Sequence, residues 1–446
     1  VAPLTVPISS LGAAGPSRED RAIPKLLTLL PAVALVATLG AAGPSSAQDE
    51  PLSQIHIGLI LPEAGSDLLQ AAVARAADQG AVMAQEEFAL NAEMFAVDFA
   101  VETIKASGEG VLDAAQSLLD SGQVFAIAGG FTAQEAELLS GWSAERGIPF
   151  ANLQASEDRL RNEECAATSF HVAPSAAMYL DSLAGWYVRA GFRNWFVVQA
   201  EGQEAADQYR RLQTSLTERH FGAREVGHAQ IAPGAGLDGS VIDQIRNANA
   251  DLVVLLTSAQ DQLSALSAME AAGLDLMVTG FPYPEAQTRA FFTQSAQAAP
   301  VLGSGMRATA WEPTLDAYGA RELNARYMDR FGEPMEGPAW AAYQGVKVFF
   351  EAAMFSGSTA SDAVLAYLTA PTSVFDVWKG IGTSFRPWDH QLRQPLYLSK
   401  IDPDAADARL RGQLVGELPA IYMPGTDPVE RLDQMGDLAG QSHCRF

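Results

Sequence analysis

Short apolar runs alternate with helical patterns along this chain, and after one extended link the alternation starts over. The runs fall at 55–61, 95–102, 124–129 and 148–154, with helical periodicity at about 67–90, at 109–119 and from Glu135 onward. A run that is apolar throughout suits a strand buried on both faces, and strand–helix alternation builds a parallel sheet with right-handed crossovers. Beyond the link at 170–174, helices at about 176–190, 204–220, 240–249 and 261–272 alternate with strands at 194–199, 224–231, 251–256 and 276–281. The expected class is therefore α/β, with two doubly wound, Rossmann-like halves in tandem.

Within the first half, Val124-Phe-Ala-Ile-Ala-Gly-Gly-Phe-Thr-Ala-Gln-Glu135 carries an apolar strand into paired glycines, a hydroxyl and a helical pattern. Gly129 and Gly130 permit a sharp turn and close approach of a ligand, and Thr132 suits a helix N-cap. Unpaired N–H groups and the helix dipole at such a point favour an anionic or carbonyl oxygen. The plainer alternative is an ordinary strand–helix turn. The segment beyond 300 is less regular: 300–305 reads as a return crossing, and helices are predicted at about 315–331, 339–355 and 361–368. Strands and turns are predicted over 380–401, with loop and tail after that.

A length of 446 residues leaves room for two cored domains, and 48% hydrophobic with 18% charged residues describes a globular chain. The formal net charge of −24 argues against nucleic acid or an anionic membrane surface as partner. Arg18, Arg21 and Lys25 precede an apolar run at 26–39, and Ser45-Ser46-Ala47 offers small residues for cleavage. This reads as an export signal with an upstream segment over 1–47, the apolar run being too short and too broken by Pro31 to span a membrane, and the loose stretch up to Gly15 suggests a translation start downstream of Val1. The expected location is the periplasm. In that oxidising setting the two cysteines, Cys165 and Cys444, suggest one disulfide pinning the C-terminal tail; two separate thiols are the alternative.

Enzyme motifs are missing: the chain has no Gly-x-Ser-x-Gly elbow, His-Glu-x-x-His or P-loop. No histidine pair stands at metal-ligand spacing, and Asp402, Asp404 and Asp407 lack the glycine and distal glutamate of a calcium loop, so a solvated turn is expected there. No catalysis, metal or cofactor is expected.

The order of elements, the Gly129-Gly-Phe-Thr132 loop and the segment Ser384-Phe-Arg-Pro-Trp-Asp-His-Gln-Leu-Arg-Gln-Pro-Leu-Tyr397 together resemble the branched-chain-amino-acid-type periplasmic binding proteins of ABC transporters. That resemblance implies a type I periplasmic-binding fold: two lobes joined by a three-crossing hinge, with crossings near 174, 300 and 372. The implied lobes are 48–173 plus 301–372 and 174–300 plus 373–410, followed by a tail over 411–446. It implies a ligand held between the lobes, its carboxylate on Phe131, Thr132, Gln154, Ala155 and Ser156. In the second lobe the family's aromatic-Gly pair is replaced by Gln199-Ala-Glu-Gly-Gln-Glu204, which puts the ammonium clamp of an ordinary amino acid in doubt. Ser258, Tyr283 and Arg307 are the candidates there, with Phe131 and Tyr283 as walls, and Arg307 with Trp311 following the return crossing toward the cleft. The paired cysteines and Asn152-Leu-Gln-Ala-Ser-Glu157 also resemble a subgroup associated with pyrroloquinoline-quinone-dependent alcohol oxidation.

The resulting expectation is a monomeric periplasmic solute-binding protein of an ABC importer, taking a small polar or aromatic carboxylated molecule and docking on an inner-membrane permease. The alternative is a ligand sensor docking on a membrane receptor or sensor kinase.

Overall fold

The computed structural model describes residues 51–419 and 423–446; the expected export signal lies outside them. The first half forms a sheet from β1 (Gln54–Leu61), β2 (Asp98–Lys105), β3 (Val124–Gly129), β4 (Phe150–Asn152) and β5 (Ser169–His171). These are ordered β2-β1-β3-β4-β5 and all parallel. Helices α1 (Leu68–Glu93), α2 (Gly110–Asp120) and α3 (Ala133–Arg146) connect the strands. The period of two along β1 divides its side chains between two cores: Ile55, Ile57, Leu59 and Leu61 face α1, while Ile60 packs with Val111, Leu118 and Leu139 of α2 and α3. The link expected at 170–174 begins as β5, too short to announce itself by periodicity.

The second half repeats the plan. Helix α4 (Ala176–Ala190) leads to β6 (Asn194–Ala200), α5 (Gln203–Thr214), β7 (Arg224–Ile231), α6 (Gly239–Asn247), β8 (Leu252–Leu256), α7 (Ala259–Ala271), β9 (Met277–Gly280) and α8 (Arg289–Ala298). The parallel sheet is ordered β7-β6-β8-β9. Trp195 and Val197 face α4, whereas Phe196 and Val198 pack with Ile242, Ile245 and Leu266.

Beyond α8 come β10 (Met306–Thr309), α9 (Ala320–Phe331), α10 (Gly337–Ser356), α11 (Ser361–Thr369), β11 (Leu396–Ile401), β12 (Gly412–Leu418) and α12 (Pro428–Leu432). Strands β10, β11 and β12 make an antiparallel sheet. Packing changes lobe later than the expected 300 and 372. Met306 accepts hydrogen bonds from Tyr187 and Thr279 in the second lobe at 2.9 Å each, and Trp311 is the first of this stretch to join the first-lobe core. Phe375, Val377, Phe385 and Leu392 remain in that core, and Leu396 and Leu398 belong to the second. The crossings therefore fall near 172–174, 309–311 and 393–395. The first and third run side by side, Leu392 N–H donating to His171 O at 2.9 Å and Gln394 Nε2 to Val172 O at 2.7 Å.

The C-terminal stretch, expected as loop, instead supplies β12 and a packed tail. Asp433 accepts from Arg386 at 3.1 Å and Arg393 at 2.8 Å, and Asp437 accepts from Asn162 of the first lobe at 3.0 Å and pairs with Arg211 of the second. Cys165 and Cys444 are disulfide-bonded, their Cα atoms 5.8 Å apart. Among the described residues no helix is long and apolar enough to cross a membrane.

Candidate functional site

Parallel strands end together, so the loops that leave them converge. The pairing of Gly129 with Asn152 sets the β3 and β4 loops next to each other at the carboxyl edge of the first sheet. Thr132 caps α3, its Oγ1 accepting the Glu135 N–H at 3.3 Å, and Glu135 completes a capping box. The buried Glu135 carboxylate accepts from Phe131 N–H at 3.0 Å, Thr132 N–H at 3.2 Å and Gly108 N–H at 3.1 Å. The oxygen that this loop was expected to take from a ligand is here provided by the chain itself.

The β4 loop is held from behind. Asn152 exchanges hydrogen bonds with Ala155, at 3.0 Å to its N–H and 2.8 Å to its O. Arg161, 2% exposed, donates to Ala155 O, Glu157 O, Ala173 O and Gln391 Oε1, tying this loop to the first and third crossings. Burial lowers its pKa to about 10. Gln154 is buried and reaches Gly337 O at 3.4 Å, and Ser156 O accepts from Ala176 N–H at 2.6 Å.

Two cavities lie between the lobes. One, of about 580 Å³, is lined by Asp67 and Gln70 of the first lobe and by Glu204, Ser258, Tyr283 and Glu285 of the second, among others. The other, of about 640 Å³, includes Ala133, Glu157 and Asp158 with Glu204, Gln208 and Arg211. Gln203 and Glu204, at the start of α5, line both. The lobes touch beside the first cavity, where Leu69 of α1 is buried among Leu263, Phe291 and Phe292.

Tyr283 and Ser258 thus line the cleft, although the Ser258 hydroxyl is committed to Asp261 at 2.9 Å as the cap of α7. Phe131, Thr132, Gln154, Ala155 and Ser156 line neither cavity; Ala133 and Glu157, their chain neighbours, do. Arg307 does not reach the cleft. It is 1% exposed, donates to Gln262 at 2.9 Å and stacks 4.8 Å from the Phe291 ring centre, because β10 belongs to the second-lobe side of the crossing. Trp311 is likewise buried, stacked on Trp340.

The cleft is acidic. Burial first, and the facing Glu204 second, push Glu157 up to about 7; burial and Asp437 push Asp158 up to about 7. Glu204 and Glu285 are also raised, chiefly by burial. A carboxyl raised in the folded state binds its proton more tightly there than in the unfolded chain. Its contribution to stability is present below the ordinary carboxylate range and is lost as pH rises toward 7. The unliganded protein should therefore show a falling unfolding midpoint between pH 5 and 8 in a thermal melt series, and Glu157→Gln should flatten that fall.

A family model described as periplasmic binding protein matches residues 54–407. The chain belongs to the periplasmic binding protein family. Solved structures agree with the fold of this binding protein. An amino acid ABC transporter substrate-binding protein from Pseudomonas fluorescens Pf-5 is 15% identical with a TM-score of 0.71, over 89% of this chain and 100% of its own. A branched-chain amino acid ABC transporter ligand-binding protein from Burkholderia xenovorans LB400 is 16% identical with a TM-score of 0.73, over 88% and 99%. A solute-binding protein from R. palustris in complex with benzoate is 14% identical with a TM-score of 0.67, over 88% and 100%. No curated protein matches the chain. Among the described residues, no three His, Cys, Asp or Glu side chains are grouped to hold a metal ion.

Sequence reasoning overlooked Glu135, Glu157, Arg161 and Glu204. The Thr-x-x-Glu spacing at 132–135 was a readable capping signal. The other three had no local signature, since their neighbours come from distant segments.

Proposed function

We propose that this protein is the periplasmic solute-binding component of an ABC-type importer, capturing a small polar or aromatic molecule between its lobes and acting as a monomer with an inner-membrane permease. The observation that supports this most is the continuous cleft walled by both lobes, with Asp67 and Glu157 on one side and Glu204 and Tyr283 on the other. Thr132, Gln154 and Ser156 stand on the loops behind its rim. No catalytic step is assigned. A carboxylated ligand seated on the α3 loop, as the family likeness implies, would have to displace Glu135 from the Phe131 and Thr132 amides. A link to pyrroloquinoline-quinone-dependent alcohol oxidation rests on the likeness of the cysteine pair and the 152–157 stretch.

The test is thermal unfolding against amino acids, aromatic acids, amines, alcohol-oxidation products and pyrroloquinoline quinone. A ligand at a hundred times its Kd adds about 2.7 kcal/mol of stability. Tyr283→Ala should remove most of that shift. Absence of any shift, together with binding to the periplasmic domain of a sensor kinase, would favour sensing instead.

A further inference from the structure

We propose that the cleft selects an organic cation, an amine-bearing solute whose ammonium group sits between Glu157 of the first lobe and Glu204 of the second. This rests on the solute-capture reading above and names its ligand class.

Charge is the first support. The cavity beside Tyr283 is lined by Asp67, Glu201, Glu204, Asp261 and Glu285 and by no Lys, Arg or His. The adjoining cavity contains three arginines, and each is already paired: Arg159 with Glu137 at 2.8 Å and with Glu164, Arg210 with Asp207, and Arg211 with Asp181 at 3.2 Å and with Asp437. An anionic ligand would meet guanidinium groups that each already hold a carboxylate, with only Nε of Arg211 buried without an acceptor.

Unmet hydrogen-bond acceptors are the second, independent support. Glu157 Oε2 and Gln208 Oε1 are buried without a protein donor, and both residues line the second cavity. Gln208 is 2% exposed. Its amide orientation follows from its neighbours: Nε2 donates to Tyr283 Oη at 2.9 Å and to Glu204 Oε1 at 3.3 Å, which leaves Oε1 as the unpaired end. Gln208 thereby links Tyr283 to the Glu204 carboxylate where the cavities meet. A buried acceptor without a donor is costly, and an ammonium carries up to three donors on one atom.

The placement also couples binding to closure. Glu157 leaves the β4 loop and Glu204 opens α5, so bringing the lobes together brings two carboxylates together. A cation between them converts that repulsion into two attractions. The bare N-terminus of α5, whose Gly202 cap offers no side chain and takes φ +124°, would by itself attract an anion; Glu204 in its first turn offsets that. A metal ion fits less well, because among the described residues no three His, Cys, Asp or Glu side chains are grouped to hold one.

The experiment compares a matched pair, 2-phenylethylamine and 3-phenylpropionate, with putrescine, tetramethylammonium and Ca²⁺, each at 10 mM, by thermal unfolding and isothermal calorimetry. At least one amine should raise the unfolding midpoint, with 3-phenylpropionate inert. Glu157→Gln and Glu204→Gln should each weaken the amine at least tenfold while leaving the unliganded midpoint equal or higher, since each removes a like charge and keeps the shape. A carboxylate that binds where no amine does overturns the ligand class and leaves solute capture standing. Stabilisation by Ca²⁺ alone, amine binding insensitive to both variants, or unliganded variants that melt lower than the parent would also overturn it. Silence from every amine, while the broader solute screen gives a hit, overturns the class; silence from the whole screen removes the solute-capture reading as well.

Discussion

Replacing Gly80 by alanine is expected to destabilise the protein by about 3 kcal/mol or more. On an exposed helix the same change would stabilise by about 1 kcal/mol, because alanine loses less backbone entropy. Here α1 crosses α10 backbone to backbone. A Cβ at Gly80 would stand 2.8 Å from the carbonyl carbon of Ala339 and 2.9 Å from its Cα, and neither can yield as a flexible side chain would. The two helices would have to separate, opening the core in which Ala77, Ala81 and Ala84 meet Ala342, Tyr343 and Val346. Urea unfolding of Gly80→Ala should show a midpoint well below the parent, and a midpoint at or above it would refute the close crossing.

Loss of the Cys165–Cys444 bridge is expected to cost more still. It closes a loop spanning 279 positions, for which the chain-entropy account gives an upper figure of about 5.6 kcal/mol. The measured loss should be smaller, since Asp433 and Asp437 continue to hold the tail through Arg386, Arg393 and Arg211 after the sulfurs part. Cys444→Ser should therefore lower the urea midpoint strongly. Arg393→Met in the Cys444→Ser background should lower it further than in the parent, because the two restraints then share one job.

The regular part of this fold was legible because burial on both sheet faces leaves a sequence mark: the apolar runs at β1, β3, β6 and β8 and the helical periods between them. What escaped was set by distant partners. Three-residue β5 exists because it pairs with β4, and β12 exists because β11 offers it an edge. The crossing after Pro300 was placed too early because β10 is held by β11, far ahead in sequence. At the cleft, Tyr283 followed from its place after a buried strand. Arg307 misled for the same reason the crossing did. Glu157 and Glu204 carry no local signature of a site, and only folding brings them to one cavity.

The tail changes what a hinge in this molecule can do. Three flexible crossings would permit both bending and twisting. Here the stretch around Asp437 adds a cord between Asn162 on one lobe and Arg211 on the other, anchored behind by the disulfide. Wide opening must either unfasten that cord or pivot about the corner where it is tied, which leaves a narrow, one-sided gape. Solute exchange would then be paced by release of a few ionic contacts at the rim, so the residence time of a ligand would be tuned at a place that it never touches.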